Sequence, residues 1–152
     1  FEEHLYTEQL TSLLRQAIGN LPPGGGRPRI LLTTVPDEQH ALGLLTAEVV
    51  LALEGADCIS LGTQTPLFDI QMAARTYPAD IVALSFSAAF PARRVGPLIK
   101  RLRQFLPTTV ELWAGGAGAQ RATQATGAIL LASLPAALAA LATWRDRRPA
   151  DH

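Results

Sequence analysis

The segment Arg29-Ile30-Leu31-Leu32-Thr33-Thr34-Val35 is an almost wholly apolar run, and Glu38-Gln39-His40-Ala41-Leu42-Gly43 follows it at the head of a stretch with helical spacing. A strand that is apolar throughout, rather than on alternate residues, is buried on both faces, as in a parallel sheet covered by helices. The order strand, loop, helix puts His40 at the carboxyl end of a strand, where open α/β sheets collect their ligands. An acid two positions before a histidine can accept a proton from one ring nitrogen and leave the other lone pair for a metal. Gly43, three positions after His40, removes a side chain where something bulky would approach the helix start. The plainer reading of a lone loop histidine, a surface residue or a helix cap, stays open at this point.

Outward from this segment the same alternation repeats. Apolar runs predict strands at 29–35, 57–61, 81–85, 110–113 and 128–131, and helical periodicity predicts helices at 39–54, 67–77, 92–105, 116–126 and 135–145. Strands separated by helices give an α/β domain of flavodoxin-like or Rossmann-like type, a five-stranded parallel sheet with helices on both faces. In that architecture the loops 36–40, 85–91 and 114–118 meet at one edge. Upstream, Leu5, Leu10, Leu13, Leu14, Ala17 and Ile18 recur at helical spacing, and Gly19-Asn20 is a stop signal. The proline and glycine run from Leu21 to Pro28 then reads as a linker.

Composition narrows the function classes. The chain has 152 residues, about one domain, and 48% hydrophobic content suffices for a core. Thirteen basic and thirteen acidic residues cancel, with no block of like charge, so nothing marks the segment by itself as a nucleic-acid or membrane surface. The single cysteine, Cys58, excludes a disulfide framework and a cysteine-based zinc site. With no apolar run long enough to span a bilayer and no signal-peptide order at Phe1-Glu2-Glu3-His4, the expectation is a cytoplasmic protein. The chain opens in mid-helix without a methionine, as expected for a piece of something longer.

Two further loops carry patterns. Ser85-Phe86-Ser87 ends the third strand, and its hydroxyls can either cap the next helix or hydrogen-bond a polar ligand group. Gly115-Gly116 follows the fourth strand, either as a tight turn or as space for a ligand. A dinucleotide fingerprint would need its glycines after the first strand. Forty-one residues separate Gly43 from Ser85, and 27 separate Ser87 from Gly115. In type, order and spacing the three motifs resemble the signature of cobalamin-binding domains, Asp-x-His-x-x-Gly, Ser-x-Leu and Gly-Gly.

The resemblance implies that the dimethylbenzimidazole of cobalamin leaves cobalt and threads into the domain, with His40 as the replacement lower axial ligand and sole protein metal ligand. Glu38 stands where the family has aspartate, one methylene longer with the same charge. Gly43 would let the nucleotide loop pass, Ser85 would hydrogen-bond the inserted base, and Gly115 and Gly116 would leave room for the tail. Ser87 replaces the leucine of Ser-x-Leu, which lowers the apolar packing expected around the base. Within the family the chain most resembles MerR-type transcription regulators of the light-sensing CarH and LitR group. The likeness extends to Leu61-Gly62-Thr63-Gln64-Thr65-Pro66, Ala83-Leu84-Ser85 and Glu2-Glu3-His4-Leu5-Tyr6-Thr7. It covers residues 29–131 and the first helix, and sets His4 near the upper corrin face, against a surface or capping role for the same residue.

The implied organisation is the end of a helical bundle at 1–21, a linker at 22–28, a cobalamin-binding domain at 29–148 and a tail at 149–152. The implied function is that of a sensory domain holding adenosylcobalamin or methylcobalamin, with DNA contacted through an upstream helix-turn-helix and signalling through homo-oligomerisation. No catalytic residue and no enzymatic activity are expected. The alternatives are a corrinoid carrier subunit of a methyltransferase and a degenerate dimerisation module without cofactor. A phosphoacceptor receiver fits less well, since the third strand ends at Ser85 where an aspartate would be needed.

Overall fold

The periodic segments form the expected elements. In the computed structural model, which describes residues 2–21, 25–122 and 127–148, strands β1 (Arg29–Thr33), β2 (Asp57–Ser60), β3 (Ile81–Ser85), β4 (Glu111–Gly115) and β5 (Ile129–Leu131) make one sheet. All pairings are parallel, in the order β2-β1-β3-β4-β5. The chain order reverses between β1 and β3, which makes the crevice at their carboxyl ends the natural ligand site. Helices α1 (Glu2–Gly19), α2 (Leu42–Leu53), α3 (Leu67–Thr76), α4 (Ala92–Phe105), α5 (Ala117–Gln120) and α6 (Leu134–Asp146) surround it.

Alternate strand residues feed two cores. Leu31, Val82, Leu84 and Leu112 face α3 and α4, where Val95, Ile99 and Leu102 form the buried stripe of α4. Ile30, Leu32, Ala83 and Trp113 face α2 and α6, against Leu44, Leu51, Leu141 and Trp144. The α6 start is capped by Ser133, whose Oγ accepts from Ala136 N at 3.2 Å, with Pro135 in the first turn. The opposite end of the sheet is tied by Asp80, which accepts from Arg29 N at 2.8 Å and from Arg27 Nη2 at 2.6 Å. Helix α1 packs on the outer side of α2.

Element ends differ from the periodicity where loop hydrogen bonds intervene. β1 stops at Thr33 because Thr34 turns to the β2–α3 loop: its carbonyl accepts from Thr65 N at 2.9 Å and its Oγ1 from Gln64 N at 2.8 Å. α2 begins at Leu42 rather than 39, since Asp37 at φ 74° and the bonds of Glu38 hold the preceding residues in a loop. β4 runs on to Gly115, pairing with Ser85 and Leu131 on either side. α5 is a single turn, and residues 123–126 of the longer helix expected there lie outside the described residues, as do Pro22–Gly24 of the linker and the tail 149–152. Among the described residues no helix is long and apolar enough to cross a membrane.

One buried charge gives a stability prediction. Glu48 of α2 is 8% exposed and faces the seam between α1 and β2; burial pushes its carboxyl above the ordinary value of 4.5, with Arg15 pulling weakly the other way. A carboxyl raised in the folded state favours folding while protonated, and that contribution is lost as pH rises through the folded value. Glu48→Gln is therefore expected to raise Tm at pH 7, with the gain shrinking as pH falls through the raised folded value and gone by about 4.5. Thermal melts at the two pH values check this; an equal or lower Tm at pH 7 contradicts it.

Candidate functional site

The loops after β1 and β3 bring three of the expected residues into one hydrogen-bonded group. Glu38 is 1% exposed, and its carboxylate accepts from four donors: the amide and hydroxyl of Ser87, and the amide and ring of His40. The Glu38 Oε2 to His40 Nδ1 distance is 2.9 Å, and Ser87 Oγ lies 3.1 Å from Oε2 and 3.2 Å from Nδ1. Burial alone would raise the Glu38 carboxyl, but the bonds from the Ser87 amide, the His40 ring, the Ser87 hydroxyl and the His40 amide together hold it below its ordinary value. The carboxylate is thus fixed as an anion, and it orients the imidazole with the Nδ1 proton towards it. His40 Nε2 has no partner among the described residues, and the side chain is 53% exposed. The group is braced by Thr34, which donates to Glu38 O at 2.6 Å, and by the Asp37–Arg94 pair at 3.2 Å.

The glycines and Ser85 form a second group beside the first. A cavity of about 780 Å³ opens at the carboxyl ends of β1, β3 and β4, between α2 and α6, and Gly43, Ser85, Gly115 and Gly116 all line it. Its walls are mostly apolar, with Leu42, Ala83, Trp113 and Leu134 among them. The glycines act in different ways. A Cβ on Gly43 would stand 2.9 Å from Ser85 Oγ, whereas one on Gly115 would meet only Leu131, at 3.7 Å. Gly116 has φ +93°, and a Cβ there would collide with the carbonyl oxygen of Phe86. Gly118 is equally tight against Ser87 O and donates its own amide to Phe86 O at 3.0 Å, locking the β4–α5 turn onto the β3–α4 loop.

The two groups adjoin along the chain, His40 three residues before Gly43 and Ser87 two residues after Ser85. Neither serine caps α4, whose N-cap is Pro91 without a side-chain bond, and His40 does not cap α2. Ser87 stands in the first group. It is not among the residues lining the cavity, and its polar atoms bind Glu38 and His40. His4 lies in the first turn of α1, and its side chain is outside what the structure describes. Sequence reasoning missed Gly118, legible as the third glycine of Gly115-Gly116-Ala117-Gly118, and the wall from Leu131 to Leu134, which carried no motif.

Comparison with solved structures places the fold first. The chain superimposes on a cobalamin-binding protein from Desulfitobacterium hafniense with a TM-score of 0.65 at 18% identity, covering 78% of this chain and 59% of that one. It superimposes on the monomethylamine corrinoid protein of Methanosarcina barkeri with a TM-score of 0.64 at 19% identity, covering 88% and 65%. The fold is therefore the flavodoxin-like, Rossmann-like domain found in corrinoid proteins. No family model matches the chain. In sequence it is 33% identical over 119 residues to the HTH-type transcriptional repressor CarH of Myxococcus xanthus, covering 78% of this chain and 40% of that protein. It is 30% identical over 151 residues to the repressor CarA of the same organism, covering 99% and 52%. The chain is similar to these two regulators over the segments they share, and it spans about half or less of their length.

The arrangement makes a testable demand on Glu38. Glu38→Gln keeps the shape but loses the anion that fixes the imidazole, so any metal held at Nε2 is expected to bind about 10–100-fold more weakly. Titration of the variant with hydroxocobalamin, followed by visible absorbance, checks this. An affinity equal to that of the unmodified chain would show that Glu38 has no part in cofactor binding.

Proposed function

We propose that the chain is the sensory cobalamin-binding domain of a transcriptional regulator, with cobalamin held base-off and His40 Nε2 as lower axial ligand of cobalt. The observation that carries the reading is the pairing of an oriented, outward-facing imidazole with an adjoining cavity of about 780 Å³. That volume suits a nucleoside-sized group and not a whole corrinoid. The nucleotide tail therefore enters beside Gly43, Gly115 and Gly116, Ser85 Oγ hydrogen-bonds the base, and the corrin stays at the rim above His40. The cofactor, when bound, supplies cobalt with an exchangeable upper group, adenosyl or methyl. The chain's own residues bind and orient it: Glu38 holds the Nδ1 proton, and Ser87 holds Glu38.

The similarity to two repressors supports regulation over catalysis. In this reading the protein works in the cytoplasm and is not itself an enzyme. The state of the cofactor biases homo-oligomerisation, and with it DNA binding by an upstream helix-turn-helix. Such a bias requires the two cofactor states to contact the assembly differently. The fold shared with a monomethylamine corrinoid protein supports the carrier reading only at the level of architecture. Mixing the purified chain with hydroxo-, methyl- and adenosylcobalamin and then desalting tests the proposal. Retained colour with a corrinoid spectrum is expected; a colourless protein with all three overturns it.

A further inference from the structure

The zero net charge conceals an uneven surface. Most cations of the chain are engaged: Arg29 with Asp57, Arg94 with Asp37 and Arg147 with Glu111. Arg103 donates to Val110 O at 2.7 Å, and Arg145 to Arg27 O at 3.0 Å. The exposed cations with no carboxylate or carbonyl partner among the described residues include Arg75, Arg93, Lys100 and Arg101, all on α3 and α4. These two helices cover one face of the sheet and carry a single acid, Asp69. Arg101 lies over Phe105 at 6.0 Å, a contact that does not neutralise its charge.

On α4 the free cations form a row. Arg93 and Lys100, seven residues apart, lie one above the other on the helix side away from Val95, Ile99 and Leu102, and Arg101 stands about 100° round from Lys100, still exposed. At 1.5 Å per residue the row spans about 10–12 Å, close to the width of a B-DNA major groove. The cations at its two ends can therefore reach phosphates on both sides of one groove. We propose that the α4 face, led by Arg93, Lys100 and Arg101, docks on the phosphate backbone of duplex DNA without reading its sequence. A bilayer is the poorer partner. A helix lying in a membrane inserts apolar side chains, and those of α4 are 0% exposed at Val95, Ile99 and Leu102, all turned into the sheet. The inference adds to the regulator reading a contact made by this domain itself and does not depend on bound cofactor.

Fluorescence anisotropy of a labelled random-sequence duplex with the 152-residue chain tests it over a series of salt concentrations. Binding in the range of about 10⁻⁴–10⁻⁶ M is expected, with log K against log salt falling at a slope of about −2.7 for three phosphate contacts. Arg93→Gln, Lys100→Gln and Arg101→Gln should each flatten the slope by about 1, while Arg147→Gln, which removes the same charge elsewhere, should leave it unchanged. Three results overturn the proposal: no binding at about 10⁻⁴ M or tighter in 50 mM salt, an equal loss in Arg147→Gln, or binding to phosphatidylglycerol vesicles but not to the duplex. Corrinoid colour after desalting is a separate readout, so either proposal can fail while the other stands.

Discussion

Replacing His40 by alanine is expected to abolish cobalamin retention, or to reduce it well beyond the about 10–100-fold loss for Glu38→Gln. The reason is the geometry at the ring. Glu38 Oε2 occupies Nδ1 at 2.9 Å and leaves Nε2 as the one lone pair directed outward. Alanine deletes that lone pair but does not disturb the core, because the imidazole is 53% exposed and its loop is held separately through Thr34 and Asp37. A melting temperature near that of the unmodified chain, together with lost colour, is the expected combination. A His40→Ala protein that retains cobalamin with an unchanged visible spectrum would move the ligand elsewhere.

The second large effect separates two adjacent glycines. Gly115→Val is expected to fold and to lose cobalamin, because a Cβ there meets only Leu131 at 3.7 Å, a β-branched residue suits strand β4, and the added methyl groups enter the cavity. Gly116→Val is expected to lose stability first. Its φ of +93° is strained for any side chain, at roughly 1–3 kcal/mol, and the collision with Phe86 O adds to that. Urea unfolding and cobalamin titration on both variants distinguish a blocked tail site from a damaged fold. Equal destabilisation of the two would contradict the different roles assigned to them.

The topology was legible because each strand is a short apolar run and α4 repeats its apolar residues at Val95, Ile99 and Leu102. The element ends at the site were not, because hydrogen bonds between segments distant in sequence set them. Thr34 reaches Gln64 and Glu38 reaches Ser87, and no local pattern records either contact. The placement of Gly43, Ser85, Gly115 and Gly116 around one cavity follows from strand order, which the strand–helix alternation implied. The placement of Ser87 did not follow. A hydroxyl at an apolar family position reads as lost packing until the fold shows that it faces a carboxylate 49 residues earlier. Net charge was the least informative quantity, since thirteen cations and thirteen anions average away the cations gathered on α4.

The central claim is that a protein imidazole, and not the cofactor's own base, is the lower ligand of cobalt. The most direct measurement is electron paramagnetic resonance of the cob(II)alamin complex, recorded for the chain with natural histidine and with 15N-labelled histidine. The account predicts that the nitrogen superhyperfine triplet becomes a doublet on labelling and that the imidazole coupling disappears in His40→Ala. A triplet that survives 15N-histidine labelling unchanged would show that dimethylbenzimidazole stays on cobalt, and the account would be contradicted.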